Sequence, residues 1–359
     1  MSSDLPVVIL VASEFEVRGS SFYTLRLAEQ LPAHGFKPLV VSPDSERVPE
    51  SSHSQIEFLD YGFLDTPVLG KLVAGLVARD LHEQRPVLVH VQSRQAIGVG
   101  QLIARQLSCP SLVTIHHRTE RHERLNLDRS STAGVIAVSE FVRDRLLPIT
   151  GLADDNVHLI YSGVEIPPES ELADVLHPER TPVIGTAGPL EPSKGIEFFL
   201  TAARDVLQRG HKVEFLIAGS GPEEARLREL VRKLEIGPQV TFVTNLLDFS
   251  SSLQAMDVFC LPSLSQGLGT IMLKAMALGR PVIATEVGGV SKIVRDGQTG
   301  LLIPPSDSSR LGDRMLELLS NPIRARMIGR AARECVIRDF NVERMVRETV
   351  GVYRRVIGT

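Results

Sequence analysis

A glycine-bearing loop in the second half of the chain has the composition of a site for a sugar or a phosphate. Its glycines keep the loop free of side chains, so backbone amides can point at a ligand. The helix pattern that follows carries Lys274, and its dipole favours an anion at the first turn. Gln266 offers one acceptor oxygen and two N–H donors, whereas Lys274 offers donors alone. The loop consists of Ser265, Gln266, Gly267, Leu268, Gly269 and Thr270.

A second loop has the composition of a diphosphate site. The apolar segment 183–187 reads as a strand that ends at Gly188, and Lys194 follows just ahead of a helix pattern. A cation and free amides beside a helix start suit a diphosphate. Gly219 comes directly after the predicted strand 213–218 and fits a wall of a nucleoside pocket, although a plain strand-to-helix turn explains it equally well.

The first half of the chain offers fewer residues for chemistry. His116 follows the predicted strand 112–115, at a carboxyl end from which a side chain can reach a ligand. Gly19 stands between the first predicted strand and the start of the following helix pattern. The basic residues within 117–124 fit a solvated face better than a site for a phosphate-bearing ligand. Segment 61–81 reads as a packed helix in preference to a surface helix that touches a lipid-linked ligand.

The elements that must position these residues alternate regularly along the chain. Short β-branched runs separated by amphipathic helix patterns predict parallel sheets covered on both faces, and a chain of 359 residues favours two domains. We expect a first α/β domain over 1–166, a proline-bearing linker over 167–182 and a second domain over 183–338. Ligands of such sheets bind beyond the carboxyl ends of the strands. The two doubly wound domains are therefore expected to face each other across a cleft.

Composition excludes several classes of protein. Hydrophobic residues make up 43% and charged residues 23% of the chain, which is ordinary for a globular protein. A net charge of −4 gives no reason to expect a nucleic-acid partner. The first residues lack the pattern of a signal peptide or a membrane span, so we expect a cytoplasmic protein with at most peripheral membrane contact.

The stretch 257–307, with its strand, glycine loop, helix, strand, double glycine and helix, resembles the donor-binding signature of retaining GT-B glycosyltransferases of the family-4 type. The likeness covers nearly the whole chain and is strongest over 183–307. Family members carry two glutamates where this chain has Gln266 and Lys274, an arginine at Pro189 and an acid at Lys292. The resemblance implies that helix 339–359 returns to the first domain.

The resemblance also implies an activity. Such proteins move a sugar from a nucleotide diphosphate sugar to an acceptor, which here is an unidentified glycan, lipid-linked or small molecule, with retention of configuration and no metal. Two alternatives stay open because of the replaced acids: a non-catalytic binding or activating subunit, and a nucleotide-sugar isomerase. The residues expected at the site are His116 and Lys194 for catalysis and Gly19, Gly188, Lys194, Gly219, Gln266, Gly267, Leu268, Gly269, Thr270 and Lys274 for donor binding.

Overall fold

The protein is described by a computed structural model that covers residues 5–13, 15, 19–46, 48, 50–64, 66, 68–116, 125–244 and 249–358. The chain divides into two compact units. The first comprises Met1–Gly163 together with Val342–Thr359, and the second comprises Val164–Asn341. The division thus falls a few residues before position 166 and a few residues after position 338, where the sequence placed the ends of the domains.

The first unit is a parallel sheet with helices. Within its described residues, seven strands pair in the order β3-β2-β1-β4-β5-β6-β7, and every pairing is parallel. The central strands consist of buried residues throughout, because helices cover both faces of the sheet. The elements are β1 (Val7–Val11), α1 (Gly19–Gln30), β2 (Lys37–Ser42), α2 (Glu50–His53), β3 (Glu57–Asp60), α3 (Leu69–Leu81), β4 (Leu88–Val91), α4 (Ile97–Gln106), β5 (Ser111–Ile115), β6 (Thr132–Ala137), α5 (Glu140–Thr150) and β7 (Val157–Leu159).

The second unit repeats this architecture. Its described residues form a six-stranded parallel sheet in the order β10-β9-β8-β11-β12-β13. Its core consists of side chains from these strands and from the helices packed on the sheet. The elements are β8 (Val183–Ala187), α6 (Ile196–Gln208), β9 (Glu214–Ala218), α7 (Glu224–Lys233), β10 (Val240–Val243), α8 (Ser250–Ala255), β11 (Val258–Leu261), α9 (Thr270–Ala277), β12 (Val282–Thr285), α10 (Val290–Ile293), β13 (Leu301–Ile303), α11 (Ser308–Ser320) and α12 (Pro322–Asp339).

In both sheets the order of the strands reverses at one point, although all strands run parallel. In the second unit, β9 and β10 extend the sheet to one side of β8, whereas β11, β12 and β13 extend it to the other side. This is the strand order of dinucleotide-binding folds, in which the ligand sits beyond the carboxyl ends of the strands that flank the reversal. The loops that follow β8 and β11 therefore occupy the position where a ligand is expected.

The last helix, α13 (Val342–Ile357), packs in the first unit. Its Tyr353 is fully buried, and its hydroxyl lies 2.6 Å from Nδ1 of His90 in β4. The side-chain N–H of Asn341, the residue before α13, donates to the carbonyl of Ile337 at 2.7 Å. The asparagine amide therefore binds the last turn of the preceding helix.

The helix expected over 61–81 is shorter in the structure, where α3 begins at Leu69. It buries Ala74, Val77 and Leu81, as expected of a packed helix, while Leu72 on its other face is 69% exposed. None of the helices in the described part of the chain is long and apolar enough to cross a membrane.

Candidate donor site at the carboxyl ends of β8 and β11

The loops that follow β8 and β11 pack directly against each other. The backbone N–H of Leu264 donates to the carbonyl of Ser193 at 2.8 Å. Gly195 ends the β8 loop with a φ of +61°, and a Cβ at this position would clash with the carbonyl oxygen of Pro262. Only glycine combines this backbone conformation with such a close approach. The contact fixes the start of α6 against the β11 loop.

Lys194 and Gln266 meet where these two loops join. Nζ of Lys194 donates to Oε1 of Gln266 at 3.2 Å, and Oγ of Ser263 donates to the same oxygen at 3.3 Å. An ammonium has no acceptor, so the amide must turn its oxygen toward the lysine. The N–H groups of Gln266 are consequently what this side chain can offer to a ligand. Both Lys194 and Gln266 are half-buried.

The turn after β12 supports the glycine loop from behind. Gly288 has a φ of +58°, and a Cβ there would clash with the carbonyl oxygen of Gln266. The N–H of Gly289 donates to the carbonyl of Gly267 at 3.0 Å. Thr285, at the end of β12, donates its hydroxyl to the carbonyl of Ser263 at 2.5 Å. The double glycine therefore serves to hold the loop that carries Gln266.

Ser263 and Thr285 are positioning residues that the sequence analysis missed. Their location could have identified them, because each stands at or just after the carboxyl end of a buried strand. Which strands are neighbours, however, follows from the sheet order, and β11 and β12 pair side by side in parallel. Both hydroxyl groups are buried, and each is bonded within the loop region.

Gly188 and Gly219 contact each other at the ends of β8 and β9. Gly219 has a φ of +142°, and a Cβ at this position would clash with the carbonyl oxygen of Gly188. The N–H of Gly188 donates to Ala218 at 2.9 Å, and that of Gly219 donates to Val243 at 2.8 Å. This packing requires glycine at position 219 whether or not a nucleoside binds beside it.

Helix α9 begins at the glycine loop. Gly269 precedes it with a φ of +83°, whereas the side chain of Leu268 is 4% exposed and belongs to the core. The side chain of Ile271 reaches the space beside Gly188. Lys274 lies three residues further on, on the same face of the helix, and is half-buried. Lys274 therefore lies on the same side of α9 as Ile271.

His116 stands in the first unit, directly after β5, and is half-buried. The ring of Tyr23 meets the His116 ring edge-on, with 5.0 Å between centroids and 78° between planes. The hydroxyl of Tyr23 lies 3.4 Å from Oγ1 of Thr349 in α13.

Burial, aided by the nearby charge of His116, lowers the pKa of His90 to about 3, so His90 stays neutral in the folded protein.

The predicted site residues thus fall into two groups. The first unit holds His116 and Gly19, the latter as the first residue of α1. The basic cluster within 117–124 lies outside the described residues. The second unit holds the other predicted residues, which lie at the carboxyl edge of its sheet and on α9: Gly188, Lys194, Gly219, Gln266, Gly267, Leu268, Gly269, Thr270 and Lys274.

Two α/β units of this topology are the architecture of the GT-B class of proteins, which the solved structures of similar fold share. Two family models match the chain one after the other. The model described as Glycosyltransferase Family 4 matches residues 17–166, and the model described as Glycosyl transferases group 1 matches residues 169–335. Together the two models span most of the chain, which therefore belongs to the GT-B glycosyltransferases.

Characterised relatives resemble the chain at modest identity. An alpha-D-kanosaminyltransferase of Streptomyces kanamyceticus is 27% identical over 71% of this chain and 73% of its own length. A phosphatidyl-myo-inositol mannosyltransferase of Mycobacterium leprae is 27% identical over 95% of this chain and 94% of its own length. The crystal structure of Anabaena HepE in complex with UDP-glucose superposes with a TM-score of 0.81 at 20% identity, covering 96% of this chain and 99% of the other.

Proposed function

We propose that the protein transfers a sugar from a nucleotide diphosphate sugar to an acceptor with retention of configuration. The observation that carries the proposal is the Lys194–Gln266 contact at 3.2 Å. It places a cation and an amide together beyond β8 and β11, where a sheet of this strand order binds its ligand. A solved structure of the same fold with UDP-glucose supports a donor of this kind.

In this mechanism the chain stabilises the departing diphosphate with its own groups. Lys194 supplies a charge-assisted hydrogen bond, and the N-terminal amides of α6 and of the glycine loop supply further donors. These donors are already held in place by the loop contacts, so they need not reorganise as negative charge develops on the leaving group. We propose that this arrangement acts without a metal ion.

Gln266 addresses the donor sugar in the same proposal. Its oxygen already accepts from Lys194 and Ser263, so its N–H groups donate to a sugar hydroxyl. Lys274 takes over the role that an arginine at position 189 would have, because it lies on the same side of α9 as Ile271, whose side chain reaches the space beside Gly188. Lys274 therefore pairs with a donor phosphate and not with a ribose diol, for which it lacks acceptors.

We place the acceptor on the first unit, the unit that carries His116. Large apolar side chains at and before α3 are exposed on this unit, with 64% of Phe63, 75% of Val68 and 69% of Leu72 accessible to solvent. Such a surface suits an acceptor that carries a lipid and brings the enzyme into peripheral contact with a membrane. His116 hydrogen-bonds the transferred sugar and orients it toward this acceptor.

A ligand panel tests the proposal. Uridine, guanosine and adenosine diphosphates and their hexose conjugates are added to the protein while its thermal unfolding is followed. A ligand at one hundred times its Kd stabilises the folded state by about 2.7 kcal/mol. Stabilisation by one nucleotide series is expected, and Lys212→Ala, which removes an exposed lysine at the opposite edge of the same sheet, is expected to retain it.

Turnover separates the proposal from its alternatives. Release of the free nucleotide only in the presence of an acceptor extract, with an α-linked product from an α-linked donor, is the expected result. Failure of every nucleotide and nucleotide sugar to stabilise the protein would instead identify a non-catalytic subunit. Conversion of the nucleotide sugar without release of nucleotide would identify an isomerase.

A further inference from the structure

Helix α12 presents large apolar side chains to solvent on the face that turns away from the core. Ile323 is 68% exposed, Met327 is 67% exposed and Ile337 is 43% exposed. The opposite face is firmly packed, and a Cβ at Gly329 would clash with the carbonyl of Gly279. The exposed face is therefore part of a fixed element and not a frayed end of the chain.

The exposed residues follow the spacing of a helix-pairing seam. Along the exposed face, residues 323, 327, 330, 334 and 337 follow one another in steps of four, three, four and three. This is the a/d pattern of helices that pack along their length. The flanking position Ala331 is small and half-buried, so a partner helix can approach closely. We name this set the α12 stripe; it consists of Ile323, Met327, Arg330, Glu334 and Ile337.

Two copies of the α12 stripe that run in opposite directions place apolar residues opposite apolar residues and opposite charges opposite each other. In an antiparallel pair of α12 helices centred on Ala332, Met327 meets Ile337 of the other copy. Arg330 then meets Glu334 of the other copy, and the two-fold axis repeats both contacts. An isologous interface of this kind requires one surface to complement itself.

Two of the neighbouring arginines are already paired with a carboxylate of their own copy. Nη1 of Arg324 lies 2.9 Å from Oε1 of Glu317, and Nη2 of Arg338 lies 2.6 Å from Oδ2 of Asp339. Arg324 and Arg338 thus each bring a carboxylate with them, which reduces repulsion between copies, whereas Arg326 donates to the carbonyl of Val175 at 3.1 Å. The charges at the centre of the stripe, by contrast, are the ones that a second copy would pair.

We propose that the α12 stripe is a homodimer interface, in which two copies of the chain pair through antiparallel α12 helices. One helix pair buries less than the area of a standard stable interface, which is about 1,200–2,000 Å² in total. The dimer is therefore weak and depends on protein concentration. Its two Arg330–Glu334 contacts select the antiparallel register, since such charges contribute more to specificity than to affinity.

Sedimentation velocity over a concentration series of the full chain tests this proposal. The wild type is expected to shift from monomer toward dimer as its concentration rises. Arg330→Glu and Glu334→Arg are each expected to remain monomeric, because each places like charges opposite one another. The double variant with both substitutions restores the complementary order and is expected to dimerise again, as is an equimolar mixture of the two single variants.

A matched control is Arg310→Glu, which changes the same charge at an exposed position of α11 outside the stripe. This variant is expected to dimerise like the wild type. The rescue by the double variant and by the mixture excludes misfolding as the cause of the monomeric state. A wild type that stays monomeric throughout the series, or a dimer that survives both single substitutions, would overturn the proposal.

Discussion

Nζ of Lys194 and Oε1 of Gln266 lie 3.2 Å apart and join the loops that follow β8 and β11. The two residues are 72 positions apart in sequence, yet they flank the point at which the sheet order reverses. The partner of the ammonium in this contact is a neutral amide. A carboxylate at position 266 would instead hold the lysine as an ion pair and weaken its attraction for a diphosphate.

This relationship predicts that Lys194 and Gln266 act on different parts of the donor. Lys194→Ala removes a charge-assisted hydrogen bond to the diphosphate, a contact that contributes about 1.5–3 kcal/mol. The Kd of both the free nucleotide and the nucleotide sugar should rise by about 10- to 150-fold. Isothermal titration of both ligands measures this effect, with Lys212→Ala as the control lysine variant.

Gln266→Leu should separate the two ligands. The substitution removes the N–H donors that we assign to the sugar but leaves the ammonium of Lys194 in place. The Kd of the nucleotide sugar should therefore rise by about fivefold to tenfold, which is the effect of one neutral hydrogen bond, while that of the free nucleotide changes little. An equal loss for both ligands in the same titrations would contradict the assignment.

The turn that supports the glycine loop gives a third prediction. Gly288→Ala introduces a Cβ against the carbonyl of Gln266 at a φ of +58°, so the loop must move. We expect a loss of about 1–3 kcal/mol in the free energy of unfolding, together with weaker donor binding. Urea denaturation measures the first and titration the second. Gly237→Ala, placed in open space, should change stability by no more than about 1 kcal/mol.

Much of the fold could be predicted from the sequence because the central strands are continuous apolar runs. The predicted bounds of β8 agree with the structure, and those of β5 and β9 differ from it by one residue at the start of each strand. The strands at the far edges were missed because they are short: β7 and β13 have three residues each. Runs of this length carry no periodicity that distinguishes a strand from a loop.

The site was predictable as a set of loops but not as a set of contacts. Glycines and lysines at the ends of apolar runs identify the loops, because parallel strands present their carboxyl ends at one edge. The bond between Lys194 and Gln266 depends on β8 lying beside β11, and the sheet order is not encoded in either loop. Ser263 and Thr285 were missed for the same reason.

His116 should affect turnover more than donor affinity. His116→Ala is expected to lower kcat by about 100-fold, because the sugar loses a group that orients it, and to leave the Kd of the free nucleotide unchanged. Tyr23→Phe keeps the ring that contacts His116, whereas Tyr23→Leu removes it. If His116 is held by this ring, kcat should fall with leucine and stay near the wild-type value with phenylalanine. Steady-state kinetics with a saturating donor distinguish these outcomes.

His90 should make the stability of the first unit sensitive to acid. Its folded pKa is about 3, below its ordinary value of 6.5, because the imidazole is buried between Tyr353 and Thr114. Above pH 6.5 His90 is neutral in both the folded and the unfolded chain. Below that pH only the unfolded chain takes up the proton, so this group lowers the free energy of unfolding by about 1.4 kcal/mol per pH unit down to about pH 3.

Urea denaturation followed by circular dichroism between pH 7.5 and pH 4.5 measures this slope. His90→Gln cannot titrate, so its stability should fall less steeply with acid, by about 1.4 kcal/mol per unit below pH 6.5. At pH 7.5 the variant should be less stable than the wild type by about 1–3 kcal/mol, because glutamine cannot restore both hydrogen bonds of the ring. His82→Gln, which replaces an exposed histidine in the same unit, is the control for a general effect of losing an imidazole. Identical slopes for His90→Gln and the wild type would show that His90 is not the group that responds to acid.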